Sequence, residues 1–215
     1  MYPVAFIGTR EPRLVPGSVS NLYTRAAAAL ARAGRTIVTG ATPGAEQLAV
    51  EAALAAGGKV QLYLPWARYE AEWVLWVQQE FPNQVSLTVF DPEVHREWLL
   101  LARKQHPQGE RLSRGSLALL ARTQGMLSQA STVIAMPYVR IRERVTERSL
   151  RPQRGRIGGV VQIREHVVEK GAAELPMRFA ERLDVERFDL SDPLDCERLE
   201  AALESCVPTP PHCSR

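Results

Sequence analysis

The stretch Thr39-Gly40-Ala41-Thr42-Pro43-Gly44-Ala45-Glu46 has the residue types needed to hold an anion and to work on what the anion carries. Its two glycines let backbone approach a ligand closely. The helix expected to follow presents free N–H groups and a positive dipole end to that ligand. Glu46, at the loop–helix junction, is placed at the ligand edge or complements the helix dipole. A second short segment of the same kind, Gly8-Thr9-Arg10, follows the first apolar run, and its Arg10 is a candidate phosphate contact. The ligand-binding candidates are therefore Gly8, Thr9, Arg10, Gly40, Gly44 and Glu46, together with the later pair Gly158 and Gly159.

The elements that must position these residues read as alternating strands and helices. Strands are expected over Val4–Ile7, Thr36–Thr39, Val60–Leu64, Val85–Phe90 and Thr132–Met136, each an apolar run bounded by glycine, proline or aspartate. Helices are expected over about 18–33, 45–56, 92–104 and 114–129. Gly158-Gly159 reads as the opening of a further helix, Val160 to Glu169. Pro176–Ala180 reads as a short strand, Val185–Leu190 as a weaker one, and Ser191-Asp192-Pro193 as the start of a last helix. This cadence predicts an α/β fold, a doubly wound parallel sheet in a three-layer, Rossmann-like arrangement, with ligands beyond the carboxyl ends of the strands. The expected organisation is one nucleotide-binding domain over 1–205 with a flexible tail over 206–215.

Composition narrows the classes. A chain of 215 residues that is 45% hydrophobic can bury a substantial core. No run approaches the length of a membrane span, and the first residues enter a strand without a basic leader, so the expectation is a cytoplasmic protein with no membrane partner. Cys196, Cys206 and Cys213, with His212, fit no familiar zinc spacing; no metal and no cofactor are expected. His95 and His106 read as ordinary surface or packing residues, and His166, beside Glu165, as a candidate proton carrier by adjacency alone. The net charge of +3 is unevenly spread. Residues 140–156 carry seven arginines against two glutamates, a segment of +5, which taken from the whole-chain +3 leaves −2 elsewhere. Arg140–Arg156 is thus a candidate for contact with nucleic acid, phosphate or another subunit, in a loop or a short exposed helix. Trp66, Tyr69, Trp73 and Trp76 recur at helical spacing and read as core packing or as the contact of a homodimer.

The order Gly8-Thr9-Arg10, Thr39-Gly40, Gly44-Ala45-Glu46, Ala49, Ala52-Ala53, Gly57-Gly58, Leu64-Pro65 resembles the Rossmann-like superfamily that contains DNA-processing protein A and the lysine-decarboxylase-like "LOG" phosphoribohydrolases. The acid of the motif is usually aspartate; here it is Glu46. Arg122, Met126, Ala130 and Ile134-Ala135-Met136-Pro137 resemble the segment that leads into the LOG signature Pro-Gly-Gly-x-Gly-Thr-x-x-Glu. Gly158-Gly159 and Glu165 match that signature. Val161 and Gln162 stand where its third glycine and its threonine belong, and some twenty residues separate Pro137 from the glycine pair. The resemblance implies a nucleotide-derived ligand, bound as by a sensor. It implies as alternatives an N-glycosidase of nucleoside monophosphates, with Glu165 and Arg122 as catalytic residues, or single-stranded DNA binding. In the enzyme, a carboxylate would stabilise the positive ribose and activate water while an arginine held the phosphate.

Overall fold

The computed structural model describes residues 2–106, 109–136, 141–151, 160–170 and 174–206. The chain divides into two compact units, 1–138 with 173–215, and 139–172.

The first unit is built on five β-strands that follow from the apolar runs: β1 Val4–Ile7, β2 Ile37–Thr39, β3 Val60–Leu64, β4 Val85–Val89 and β5 Thr132–Ala135. Between them run α1 Gly17–Arg32, α2 Ala45–Ala55, α3 Ala71–Glu80, α4 Arg96–Gln105 and α5 Arg114–Gln129. The second unit is a hairpin of β6 Ile141–Arg151 and β7 Val160–Lys170. The chain then returns to the first unit with α6 Glu174–Arg182, β8 Glu186–Asp189 and α7 Pro193–Cys206.

Six strands form one sheet in the order β4-β3-β2-β1-β5-β8, and every neighbouring pair is parallel. The expected fold class is the observed one. Successive residues of a strand face opposite sides, so β1 shows which helices cover which face. Ala5 and Ile7 belong to a core cluster with Val38, Tyr63, Val133 and Ala135 of the sheet, Met126 and Leu127 of α5, and Phe179 and Ala180 of α6. Phe6 points the other way and meets the ring of Tyr23 on α1 edge-on, centroids 5.1 Å apart. The chain moves outward from β1 to β4, then crosses back to β5 on the other side of β1. The order therefore reverses between β1 and β5, the switch point where such sheets hold ligands.

Four sequence expectations are corrected. Residues 160–170 are a strand, not a helix, and pair antiparallel with β6 from Ile141↔Lys170 to Arg151↔Val160. Val160-Val161-Gln162-Ile163 and Val167-Val168 are rich in β-branched side chains, which lose rotamer freedom in a helix and suit a pleated ribbon. The same pairing makes 141–151 a strand, where a loop or short helix was expected. Pro176–Ala180 is not a strand but lies within α6: proline near the start of a helix needs no N–H partner, so Pro176 is tolerated there. The helix expected from Pro92 begins at Arg96, because Asp91 Oδ1 accepts from the backbone N–H of Glu93 at 2.8 Å and holds 91–94 in a turn. Among the described residues no helix is long and apolar enough to cross a membrane.

Candidate functional site

The loop after β2 is held by a buried polar cluster that draws on four parts of the first unit. Thr39 donates its hydroxyl to the carbonyl of Phe6 at 2.6 Å, which ties the end of β2 to β1. Gly40 follows, and the chain turns through Thr42 into α2. Glu46, in the first turn of α2, folds back so that Oε2 accepts the N–H of Thr42 at 3.0 Å. Arg122 reaches in from α5. Its Nη2 donates to Thr42 Oγ1 at 2.8 Å and to Glu46 Oε2 at 3.2 Å, and Nη1 donates to Glu46 Oε1 at 3.4 Å. Tyr69, between β3 and α3, donates its hydroxyl to Thr42 Oγ1 at 3.2 Å. The side chains of Arg122 and Glu46 are only 4% and 8% exposed, so the ion pair is out of water.

Gly40 is needed by this cluster. A Cβ there would fall on the Arg122 guanidinium and on Glu46 Oε2, so the guanidinium lies against bare backbone. The pairing also decides what Glu46 can do. Its carboxylate is shared between Arg122 and the Thr42 N–H, so its present work is to fix the loop. Among the described residues, Arg122 Nε and both amide atoms of Gln124 are enclosed without a partner. Nothing in the sequence singled out Thr42, Tyr69 or Gln124. Tyr69 was visible only as part of an aromatic stripe.

The loop after β1 packs against the start of α2. The carbonyl of Thr9 accepts the N–H of Ala45 at 2.9 Å, and Thr9 Oγ1 accepts the N–H of Glu11 at 3.1 Å. A Cβ on Gly8 would stand 2.5 Å from that of Ala45 and 2.7 Å from that of Met136, so the ends of β1, α2 and β5 converge at Gly8. Thr9 is buried and Arg10 exposed. Among the described residues the Arg10 guanidinium has no hydrogen-bond or ion-pair partner.

Seven of the sequence candidates thus gather at the carboxyl end of the central strands: Gly8, Thr9, Arg10, Gly40, Gly44, Glu46 and Arg122. Glu165 is elsewhere in the chain's organisation: it lies in β7, in the second unit, opposite Thr146. The helix on which it was expected does not form. Gly158 and Gly159 lie outside the described residues, as do Arg140, Arg154 and Arg156; Arg142, Arg144, Arg148 and Arg151 lie in β6. Of the aromatic stripe, Tyr69 is buried, whereas Trp66 and Trp76 are 40% and 45% exposed.

A cleft of about 530 Å³ lies between α6, β8 and α7, lined by Met177, Arg178, Glu181, Arg187, Asp189, Asp195 and Arg198. Its charges meet one another: Arg198 with Asp195 at 2.6 Å and Arg187 with Glu181 at 3.5 Å. The misread α6 hid this cleft from the sequence. Among the described residues no group of three or more metal-ligating side chains gathers. Cys196 on α7 donates to the carbonyl of Leu190 at 3.6 Å. Burial raises its thiol pKa, and Glu200, Asp195, Asp192 and Asp189 raise it further. Less thiolate at neutral pH means slower attack. Cys196 is expected to react with iodoacetamide several-fold more slowly than an unhindered thiol, as read by peptide mass spectrometry over time; a rate equal to that of free cysteine would contradict this.

No family model matches the chain, and no curated protein matches it significantly. Among solved structures, the chain is similar to DNA processing protein A from Streptococcus pneumoniae, with a TM-score of 0.53 at 15% sequence identity. The match covers 94% of this chain and 56% of that one, so this chain spans little more than half of its neighbour's length. At that identity the likeness is one of fold.

Proposed function

We propose that the first unit binds a nucleotide, or a phosphate-bearing ligand derived from one, over the Gly8–Arg10 and Gly40–Gly44 loops at the switch point of the sheet. The observation that carries this reading is Arg10. It is an exposed cation with no partner among the described residues, at the carboxyl end of β1, and its backbone packs beside the amino end of α2. A phosphate there gains a guanidinium fork and a helix dipole together. Glu46, Arg122, Thr42 and Tyr69 serve this site from below by holding the loop in shape, which suits a protein that senses its ligand.

Calorimetric titration with a panel of nucleoside mono- and diphosphates tests this. Arg10→Ala is expected to weaken binding tenfold or more, since a charge-assisted hydrogen bond contributes about 1.5–3 kcal/mol. Thermal unfolding should stay unchanged, because Arg10 is exposed. Binding that ignores Arg10→Ala would remove this site. The same panel, followed by chromatography for free base, tests the phosphoribohydrolase alternative. Base release that is lost in Glu165→Ala would favour that alternative, and release that is unchanged in Glu165→Ala would take Glu165 out of it.

A second reading has its own support in the hairpin. Each of its strands is 11 residues long, and β6 carries Arg142, Arg144, Arg148 and Arg151 within the +5 segment. A basic two-stranded ribbon is one of the shapes that binds nucleic acid, and the protein of similar fold is named for DNA processing. Affinity for single-stranded DNA that falls steeply with salt, and less steeply after Arg144→Ala and Arg148→Ala, would favour this reading.

A further inference from the structure

We infer that β4 is the interface of a homodimer, in which β4 strands of two copies pair antiparallel about a two-fold axis through Leu87 and join the two six-stranded sheets into one.

The two edges of the sheet are treated differently. At the β8 edge the strand is Glu186-Arg187-Phe188-Asp189, with charges of both signs that discourage another strand. The β4 edge is Val85-Ser86-Leu87-Thr88-Val89, without a charge or a proline. Proteins that stay monomeric usually guard such an edge. β4 is also thinly covered: Ser86 and Val89 are exposed and the other three residues half-buried. In α3, which leads into β4, Leu75 and Trp76 are 54% and 45% exposed.

A second copy is the occupant because the strand is complementary to itself. Read in either direction, it presents valine, a small hydroxyl, leucine, a small hydroxyl, valine. Antiparallel pairing centred on Leu87 sets Val85 against Val89 and Ser86 against Thr88, pairs that stabilise sheets. Asn83 falls opposite Asp91, so no like charges meet. Pro82 and Pro92 stand equally far from Leu87 and bound the pairing at both ends.

The backbone agrees with that centre. Val60 N–H donates to the carbonyl of Gln84 at 2.7 Å, and Phe90 N–H donates to the carbonyl of Leu64 at 2.8 Å. With Val60↔Val85 and Leu64↔Val89 in register, the alternation of a parallel ladder turns Gln84, Ser86, Thr88 and Phe90 toward β3. The N–H and C=O groups of Val85, Leu87 and Val89 therefore point outward. Those are the three residues that a two-fold through Leu87 makes hydrogen-bonded partners, Leu87 with its own copy and Val85 with Val89.

Sedimentation equilibrium of the full chain tests the inference. The expected mass is twice the 23.9 kDa of one chain. Val89→Pro removes an outward N–H that β3 does not use, a change edge strands tolerate. It is expected to give a folded monomer with an unchanged far-ultraviolet circular dichroism spectrum. In a background with Cys196, Cys206 and Cys213 replaced by serine, Leu87→Cys is expected to cross-link into a disulfide dimer, since hydrogen-bonded antiparallel partners have Cα atoms about 5.5 Å apart. Ser86→Cys, which faces Thr88, is expected not to cross-link. A wild-type chain at single mass at every concentration would overturn the inference. So would a dimer that survives Val89→Pro while Leu87→Cys stays uncross-linked.

Discussion

Arg122→Ala is expected to lower the unfolding free energy by about 3–5 kcal/mol, the cost of leaving one member of a buried ion pair without its partner. That is a large part of the roughly 5–15 kcal/mol that holds a domain together. Glu46 would keep only the N–H of Thr42 as a donor, in a place where its side chain is 8% exposed. Thr42 Oγ1 would lose its 2.8 Å donor, and the space over Gly40 now filled by the guanidinium would empty. Urea unfolding followed by tryptophan fluorescence measures the loss.

Two further variants separate charge from volume. Arg122→Lys keeps the charge but not the fork, so one ammonium must choose between Thr42 and Glu46, and an intermediate loss is expected. The double variant Glu46→Gln with Arg122→Met removes both charges, and its loss should fall well short of the sum of the two single losses. Losses under about 1 kcal/mol for Arg122→Ala would be those of a hydrated surface pair, and would deny the cluster its role under the loop.

The contrast between what the sequence disclosed and what it hid lies in the range of the interactions. β1 to β5 were legible because each is a short apolar run closed by glycine, proline or aspartate. The loop–helix junction at Glu46 was legible for the same reason. Its partner was not: Arg122 is 76 residues away, and no local pattern says that the two charges meet and leave water together. Tyr69 shows the same limit. It was read as one rung of a helical stripe, but α3 begins only at Ala71, and the phenol reaches back to Thr42. Residues 160–170 failed differently. A glycine pair ahead of the segment and a match to a helix-opening signature outweighed its β-branched composition, and its strand partner lies in an arginine-rich stretch with little apolar alternation. Pairing across a hairpin is a property of two segments, and neither displays it alone.

Gly44→Ala is expected to cost about 3 kcal/mol or more, from two sources that add. Gly44 has φ +100° and ψ −127°, a conformation essentially reserved for glycine, and strain for another residue there is about 1–3 kcal/mol. A Cβ would also stand 2.6 Å from the carbonyl oxygen of Thr9 and 2.7 Å from Cα of Arg10. These are backbone atoms that cannot rotate aside, and overpacking of this kind costs roughly 1–3 kcal/mol. Gly57→Ala is the internal control: its φ is +79° and nothing lies within 4 Å of the added carbon, so it carries strain without collision. For a chain of this size each kcal/mol lowers the melting temperature by about 2–4 °C. Gly44→Ala should therefore melt clearly below Gly57→Ala, and the gap between them measures how hard the β1 loop presses on α2. Because the same contact sets the backbone of Arg10, the proposed nucleotide site predicts weaker binding by the folded Gly44→Ala protein and wild-type binding by Gly57→Ala. Equal melting temperatures would mean that the β1 loop yields to the methyl group, and a loop that yields so readily would not hold Arg10 in place for a phosphate.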